Sequence, residues 1–161
     1  MKKISWVLAL GLFIGQNSVW GQQVTMVKWP DVQKILTQKS DTTYIVNFWA
    51  TWCKPCIAEL PSFEQIQQNY KGQNVRVLLI SMDFAKELKT RVIPFVNQRK
   101  IRSKVWLLNE PDANSWIDKV SPEWSGAIPA TLIVNNFKNK KVFFEQKLEY
   151  SRLVKEITDF L

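Results

Sequence analysis

An apolar and aromatic run, Tyr44 to Trp49, breaks into Thr51-Trp52-Cys53-Lys54-Pro55-Cys56 and resumes with helical spacing at Leu60, Phe63 and Ile66. The run reads as a buried strand. The spacing after it predicts a helix from Cys53 to Tyr70, with Pro61 kinking it and Gly72 ending it. A buried strand that feeds straight into a helix commits the chain to an α/β arrangement. Both cysteines stand at that junction.

The remaining elements follow the same alternation. Pro30 opens a helix through Val32, Ile35 and Leu36, after a lead-in from Gln22 to Trp29. Val75–Ser81 is a second buried strand, and Ala85–Gln98 is a helix with Pro94 inside it. Val105–Leu108 is a strand, Pro111–Val120 a helix with Trp116 and Ile117 facing the core, and 122–126 a loop. Ala130–Val134 and Val142–Gln146 form a hairpin around a 135–140 turn, and Tyr150–Leu161 is an amphipathic helix. The alternation implies a parallel sheet with helices on both faces, and the hairpin adds an antiparallel edge. No repeat or linker divides the chain, so a single α/β domain is expected.

Composition narrows the chemistry of the cysteine pair. The chain has no histidine, which excludes a Ser-His-Asp triad, a Cys-His protease pair and imidazole metal ligation. Two cysteines cannot complete a four-thiolate zinc site or an iron–sulfur cluster within one chain. Covalent haem would need histidine after the second cysteine, where Ile57 stands. With 5 glycines, a Gly-rich phosphate cradle is not expected. No metal and no cofactor are expected, and dithiol chemistry remains. A helix N-terminus offers free N–H groups and a positive dipole end, which stabilise a thiolate at Cys53. Lys54 adds charge, and Pro55 lies in the first turn, where its missing N–H costs little. Cys56, one turn inward, can resolve a mixed disulfide on Cys53. A purely structural Cys53–Cys56 bridge is the alternative, but so short a loop gains little from closure.

Lys2 and Lys3, the apolar run Ile4–Ile14 and the small residue Gly21 have the form of a secretory signal. The run is short for a membrane span, which needs about 20 residues. Residues 1–21 are therefore expected to be a signal peptide, with an uncleaved anchor as the alternative, and 22–161 the folded domain. The expected location is the periplasm or cell envelope. Net charge is +8, of which Lys2 and Lys3 supply two. Basic residues cluster at Lys86, Lys89, Arg91, Arg99, Lys100, Arg102 and Lys104. Such a cluster can bind nucleic acid or an anionic membrane face, but a solvated helix face is the default. No nucleic-acid partner is expected of an exported chain.

Val46-Asn47-Phe48-Trp49-Ala50-Thr51-Trp52-Cys53-Lys54-Pro55-Cys56 resembles the active-site strand and turn of the thioredoxin superfamily. The continuation Ile57-Ala58-Glu59-Leu60-Pro61 resembles its TlpA/ResA-like branch of exported thiol–disulfide oxidoreductases. The resemblance covers about residues 30–161. It implies a thioredoxin-like three-layer fold with a central mixed sheet and helices on both faces. It implies a redox-active Cys53–Cys56 disulfide, with Cys53 as nucleophile and Cys56 as resolving thiol. Ile128-Pro129 matches the cis-proline loop of the superfamily, which implies that this loop faces the dithiol and pairs with substrate backbone. Where cytoplasmic thioredoxins carry a buried Asp, this chain has Asn47, and the branch instead implies Glu59 as proton acceptor for Cys56. An ordinary surface Glu is the alternative for Glu59. Trp52 and Trp124 are candidate substrate contacts beside the dithiol, with core packing the alternative for Trp124.

The resemblance implies reduction of disulfides in envelope client proteins, with re-reduction by a membrane-bound thiol electron donor. A disulfide oxidase or isomerase, and a non-enzymatic thioredoxin-fold binding module, are the alternatives. Peroxidase activity is not expected: Ala50 stands three residues before Cys53, where peroxiredoxins carry Thr. Oligomeric state is open, with a monomer the working expectation.

Overall fold

The computed structural model describes residues 23–161; the expected signal segment, residues 1–21, lies outside the described residues. Six strands form one mixed sheet: β1 (Thr25–Val27), β2 (Thr43–Trp49), β3 (Val75–Ser81), β4 (Lys104–Leu108), β5 (Ala130–Asn135) and β6 (Lys140–Phe144). Their spatial order is β1-β4-β3-β2-β5-β6. The β1–β4, β4–β3 and β3–β2 pairs are parallel, while β2–β5 and β5–β6 are antiparallel. β2 thus lies inside the sheet and is the strand where pairing changes sense. The topology delivers its carboxyl end to the dithiol.

Among the described residues, five α-helices cover the sheet: α1 (Trp29–Thr37), α2 (Lys54–Asn69), α3 (Ile93–Gln98), α4 (Ile117–Val120) and α5 (Tyr150–Thr158). Alternation along β2 divides the core in two. Ile45 and Trp49 face Leu60, Phe63 and Ile66 of α2 and Leu153 and Ile157 of α5. Val46 and Phe48 face Trp29, Val32 and Leu36 of α1, with Trp116 and Val120. Period-two strands between period-3.6 helices account for both layers.

Four elements depart from the sequence reading. β1 lies in the stretch read as a lead-in and pairs with β4 from Thr25↔Trp106 to Val27↔Leu108. Three residues at a sheet edge carry too little periodicity to be read. The predicted 85–98 helix is a 3-10 turn (Ala85–Glu87), a π-helical turn (Leu88–Val92) and then α3. Pro94 cannot continue an α-ladder from the preceding turn. The turn widens, with Ile93 N donating to Leu88 O, and Pro94 falls in the first turn of α3, where no N–H is needed.

The predicted 111–120 helix reduces to a 3-10 turn (Ala113–Ser115) and the short α4. Ser115 Oγ donates to Asp112 O at 2.7 Å, a side-chain bond that competes with helix extension. β6 begins at Lys140 rather than Val142, because Asn139, at φ 52°, closes the turn in the left-handed region that Asn tolerates. α2 runs through Pro61 as one helix.

Candidate active site

β2 ends at Trp49, whose carbonyl accepts Met82 N at 2.7 Å, and the chain turns at once into α2. Cys53 is the N-cap residue, and its Sγ accepts a hydrogen bond from Cys56 N at 3.3 Å. Cys53 and Cys56 are joined as a disulfide, with Cα atoms 5.3 Å apart. Both are buried. Lys54 and Pro55, the first helical residues, are exposed. A cap position held by a sulfur places that atom where a helix favours negative charge.

The Ile128–Pro129 bond is cis, and Ile128 O lies 3.8 Å from Cys53 Sγ. A thiol at Cys53 can donate to that carbonyl; the disulfide sulfur cannot. Pro129 is buried and Ile128 half-buried. The loop leading to them is anchored from the hairpin strand. Glu145 accepts from Ser125 N at 3.1 Å, from Ala127 N at 3.0 Å, and from the Ser125 hydroxyl. The Ser125 hydroxyl and amide hold the Glu145 carboxyl below its ordinary range, with Ala127 N adding to them. Gly126 sits at φ 93°, and a Cβ there would meet Ile117 Cδ1 at 3.2 Å, so this turn favours glycine.

Glu59, one helical turn past Cys56 on α2, is 0% exposed. Its two oxygens accept from Asn47 Nδ2 and Leu148 N, each at 2.8 Å. Burial pushes its pKa up from 4.5 to about 7, against the opposing Leu148 amide, the Asn47 amide and the Lys147 charge. Asn47 Nδ2 also reaches Thr131 Oγ1 at 3.0 Å, so the network ties β2 to both α2 and β5. Glu59 is therefore not an ordinary surface residue.

Trp52 is 57% exposed beside the cysteines. Trp124 is only 4% exposed and does not offer a substrate-facing ring. It packs against Phe48 at 4.6 Å and Trp116 at 5.5 Å between centroids. Its Nε1 donates to Ala127 O at 2.8 Å, so its part is to hold the loop before Ile128 from behind. Of the two readings of Trp124 its burial favours core packing over a direct substrate contact, because packing among Phe48, Trp116 and Phe143 outcompetes exposure of the ring.

Two groups of residues were not read from the sequence. Asp83 is buried and accepts from Thr51 N at 3.0 Å, Thr51 Oγ1 at 2.5 Å and Ser81 Oγ at 2.7 Å. It fixes the turn two residues before Cys53. A carboxylate at the carboxyl end of the strand beside β2 was the available clue. Glu145 had none, because its contact with Ser125 exists only after β6 pairs with β5.

The comparisons with known proteins agree with this geometry. The AhpC/TSA family model matches residues 21–141. Thiol-disulfide oxidoreductase ResA of Oceanobacillus iheyensis is 44% identical over 39 residues, 24% of this chain and 20% of that protein. The chain spans 20% to 33% of the length of the ResA relatives it matches. Thioredoxin of Rickettsia felis is 33% identical over 89 residues, 50% of this chain and 84% of that protein. The crystal structure of a thioredoxin-related protein from Neisseria meningitidis serogroup B has the same fold, with a TM-score of 0.64 at 19% identity over 77% of this chain and 87% of that one. On the match across residues 21–141 and the likeness to most of a thioredoxin, the chain belongs to the AhpC/TSA family of the thioredoxin superfamily.

Proposed function

We propose that this chain is an exported thiol–disulfide oxidoreductase that reduces disulfides in proteins of the cell envelope. The observation that carries the proposal is Cys53 as the N-cap of α2, with its sulfur on the Cys56 amide and 3.8 Å from Ile128 O. The relatives named thiol-disulfide oxidoreductase support the same chemistry.

In the reduced protein, Cys53 thiolate attacks one sulfur of a client disulfide. A Cys53–client mixed disulfide forms, and the other client sulfur leaves as a thiolate and takes a proton. Cys56 then loses its proton and attacks Cys53 Sγ. The second client thiolate leaves and is protonated, and the Cys53–Cys56 disulfide is closed. Two electrons reach the client with two protons, one equivalent to the proton that left Cys56 and one from solvent, which had taken the Cys53 proton when that thiol ionised.

Glu59, one turn past Cys56 and equally buried, receives the Cys56 proton, because a carboxyl near 7 accepts it at neutral pH. Lys54 adds positive charge beside the thiolate, and Pro55 shapes the first turn. Trp52 gives the client an apolar surface, and the Ile128–Pro129 backbone pairs with the client chain. A membrane-bound thiol donor restores the dithiol. Among the described residues, no helix is long and apolar enough to cross a membrane.

A Cys56→Ala variant tests the reading. It is expected to accumulate mixed disulfides through Cys53, identifiable by mass spectrometry. An absence of adducts on a protein whose Cys53 still alkylates would overturn dithiol exchange. A measured potential near the about −120 mV of a strong oxidant would reverse the direction of flow.

A further inference from the structure

Beside α2, below the dithiol, lies a groove of about 930 Å³. One wall runs along that helix and includes Ile57, Pro61, Gln65 and Gln68, with Lys71 just past its end. Residues four apart share a helix face, and Cys53 stands four before Ile57. The groove therefore continues, along the helix axis, the face that carries the attacking cysteine. From Cys53 to Glu64 the helix rises about 16 Å, the reach of about five extended residues.

The facing wall is the turn after α3. Glu64 holds it in place, accepting Arg102 N at 2.7 Å and Ser103 N at 3.0 Å on its two oxygens. The carboxylate in the groove is thus already engaged with backbone. Around it Lys71, Arg99, Lys100 and Arg102 are exposed, and none has an ion-pair partner among the described residues. Lys71 is distant in sequence from the other three. Four cations against the one carboxylate of Glu64 leave the groove net positive, and a positive cleft concentrates opposite charge. The cations surround a concave floor that includes Leu60 and Ile101. A flat bilayer fits such a surface poorly, whereas an extended peptide can lie along it.

We propose that this groove binds an acidic segment of the client polypeptide, beginning about five residues from the client cysteine. This inference names the client chemistry of the reductase reading and rests on it. The segment would dock on the basic groove and present its disulfide at Cys53, raising the effective concentration of the reacting sulfur.

The test uses three labelled peptides and the oxidised full chain. Each peptide carries Ser in place of the client cysteine, a five-residue neutral spacer, and then four Glu, four Gln or four Lys. Fluorescence anisotropy at low salt should show the Glu peptide binding roughly tenfold tighter than the Gln peptide, with the advantage lost at high salt. The triple variant Lys71→Glu, Arg99→Glu, Lys100→Glu should invert the preference and bind the Lys peptide, a gain that a misfolded protein cannot produce. Equal binding of the three peptides would overturn the proposal. So would binding to phosphatidylglycerol vesicles, abolished by the triple variant, with no binding of the Glu peptide. Reduction of hydroxyethyl disulfide is measured separately. Its failure would remove the reductase reading and leave the peptide result to stand on its own.

Discussion

Asn47 Nδ2 donates to Glu59 Oε1 at 2.8 Å, joining the strand before the dithiol to the helix after it. Both side chains are buried, so the Glu59 carboxyl is held in a site that disfavours its charge. Below pH 4.5 the carboxyl is protonated in folded and unfolded chains alike. Between 4.5 and about 7 the unfolded chain releases the proton and the folded chain keeps it. Stability from this group is thus complete at low pH and falls as pH rises through about 7. The full difference is about 3 kcal/mol. Urea unfolding of Glu59→Gln beside the parent protein should show the two stability curves diverging across this window, with the variant losing less as pH rises. Parallel curves would contradict the burial of the charge.

The same group sets a kinetic expectation. Resolution of the mixed disulfide should accelerate as Glu59 ionises, with an inflection near pH 7. In Glu59→Gln that inflection should vanish and the neutral-pH rate should drop about 100-fold, the lower end of general-base contributions. Stopped-flow mixing of a preformed Cys53 mixed disulfide at a series of pH values reads both quantities.

Asp83 accepts three hydrogen bonds from Thr51 and Ser81 in a buried site. Asp83→Ala removes the acceptor and leaves those donors without it. The expected loss is about 3 kcal/mol in urea unfolding. A loss under about 0.5 kcal/mol would show that solvent replaces the clamp.

Glu145 anchors the loop before Ile128 through Ser125 and Ala127. Glu145→Ala should leave the fold cooperative and lower kcat/KM for a protein disulfide by about tenfold, the scale of one or two lost hydrogen bonds. Because Glu145 is held below its ordinary range, its support for the loop is present above that range and fades as the carboxyl protonates in acid. Equal kinetics of parent and variant would show that the loop holds its shape without the anchor.

The two tryptophans near the site should separate by experiment. Trp124 is buried among Phe48, Trp116 and Phe143, and Trp124→Ala should cost about 4 kcal/mol of stability. Trp52 is 57% exposed, so Trp52→Ala should change stability little and raise KM for a protein client. Thermal unfolding and steady-state kinetics on both variants check the contrast.

What could be read from sequence follows from how local each feature is. β2, β3 and α2 were legible because each carries a continuous apolar run or a helical period, and the cysteine pair marks its own junction. Glu59 needed the family pattern: its burial depends on Leu148, 89 positions away. The 85–98 stretch has a helical period that Pro94 overrides, since a backbone amide is missing where the ladder needs one. β1 exists through its pairing with β4, and the clamps of Asp83 and Glu145 exist through tertiary contact. None of these last three has a local periodicity to announce it.

The burial of Glu59 has a consequence for proton counting. The chain has no histidine, the side chain that ordinarily titrates near neutrality. Glu59 is placed there instead by the environment between β2 and α2. Among the described side chains Glu59 is thus the one held near pH 7, and its carbon resonance in an isotope-edited spectrum would follow its proton without imidazole overlap. The proton that leaves Cys56 in each redox cycle can then be watched for at that carboxyl.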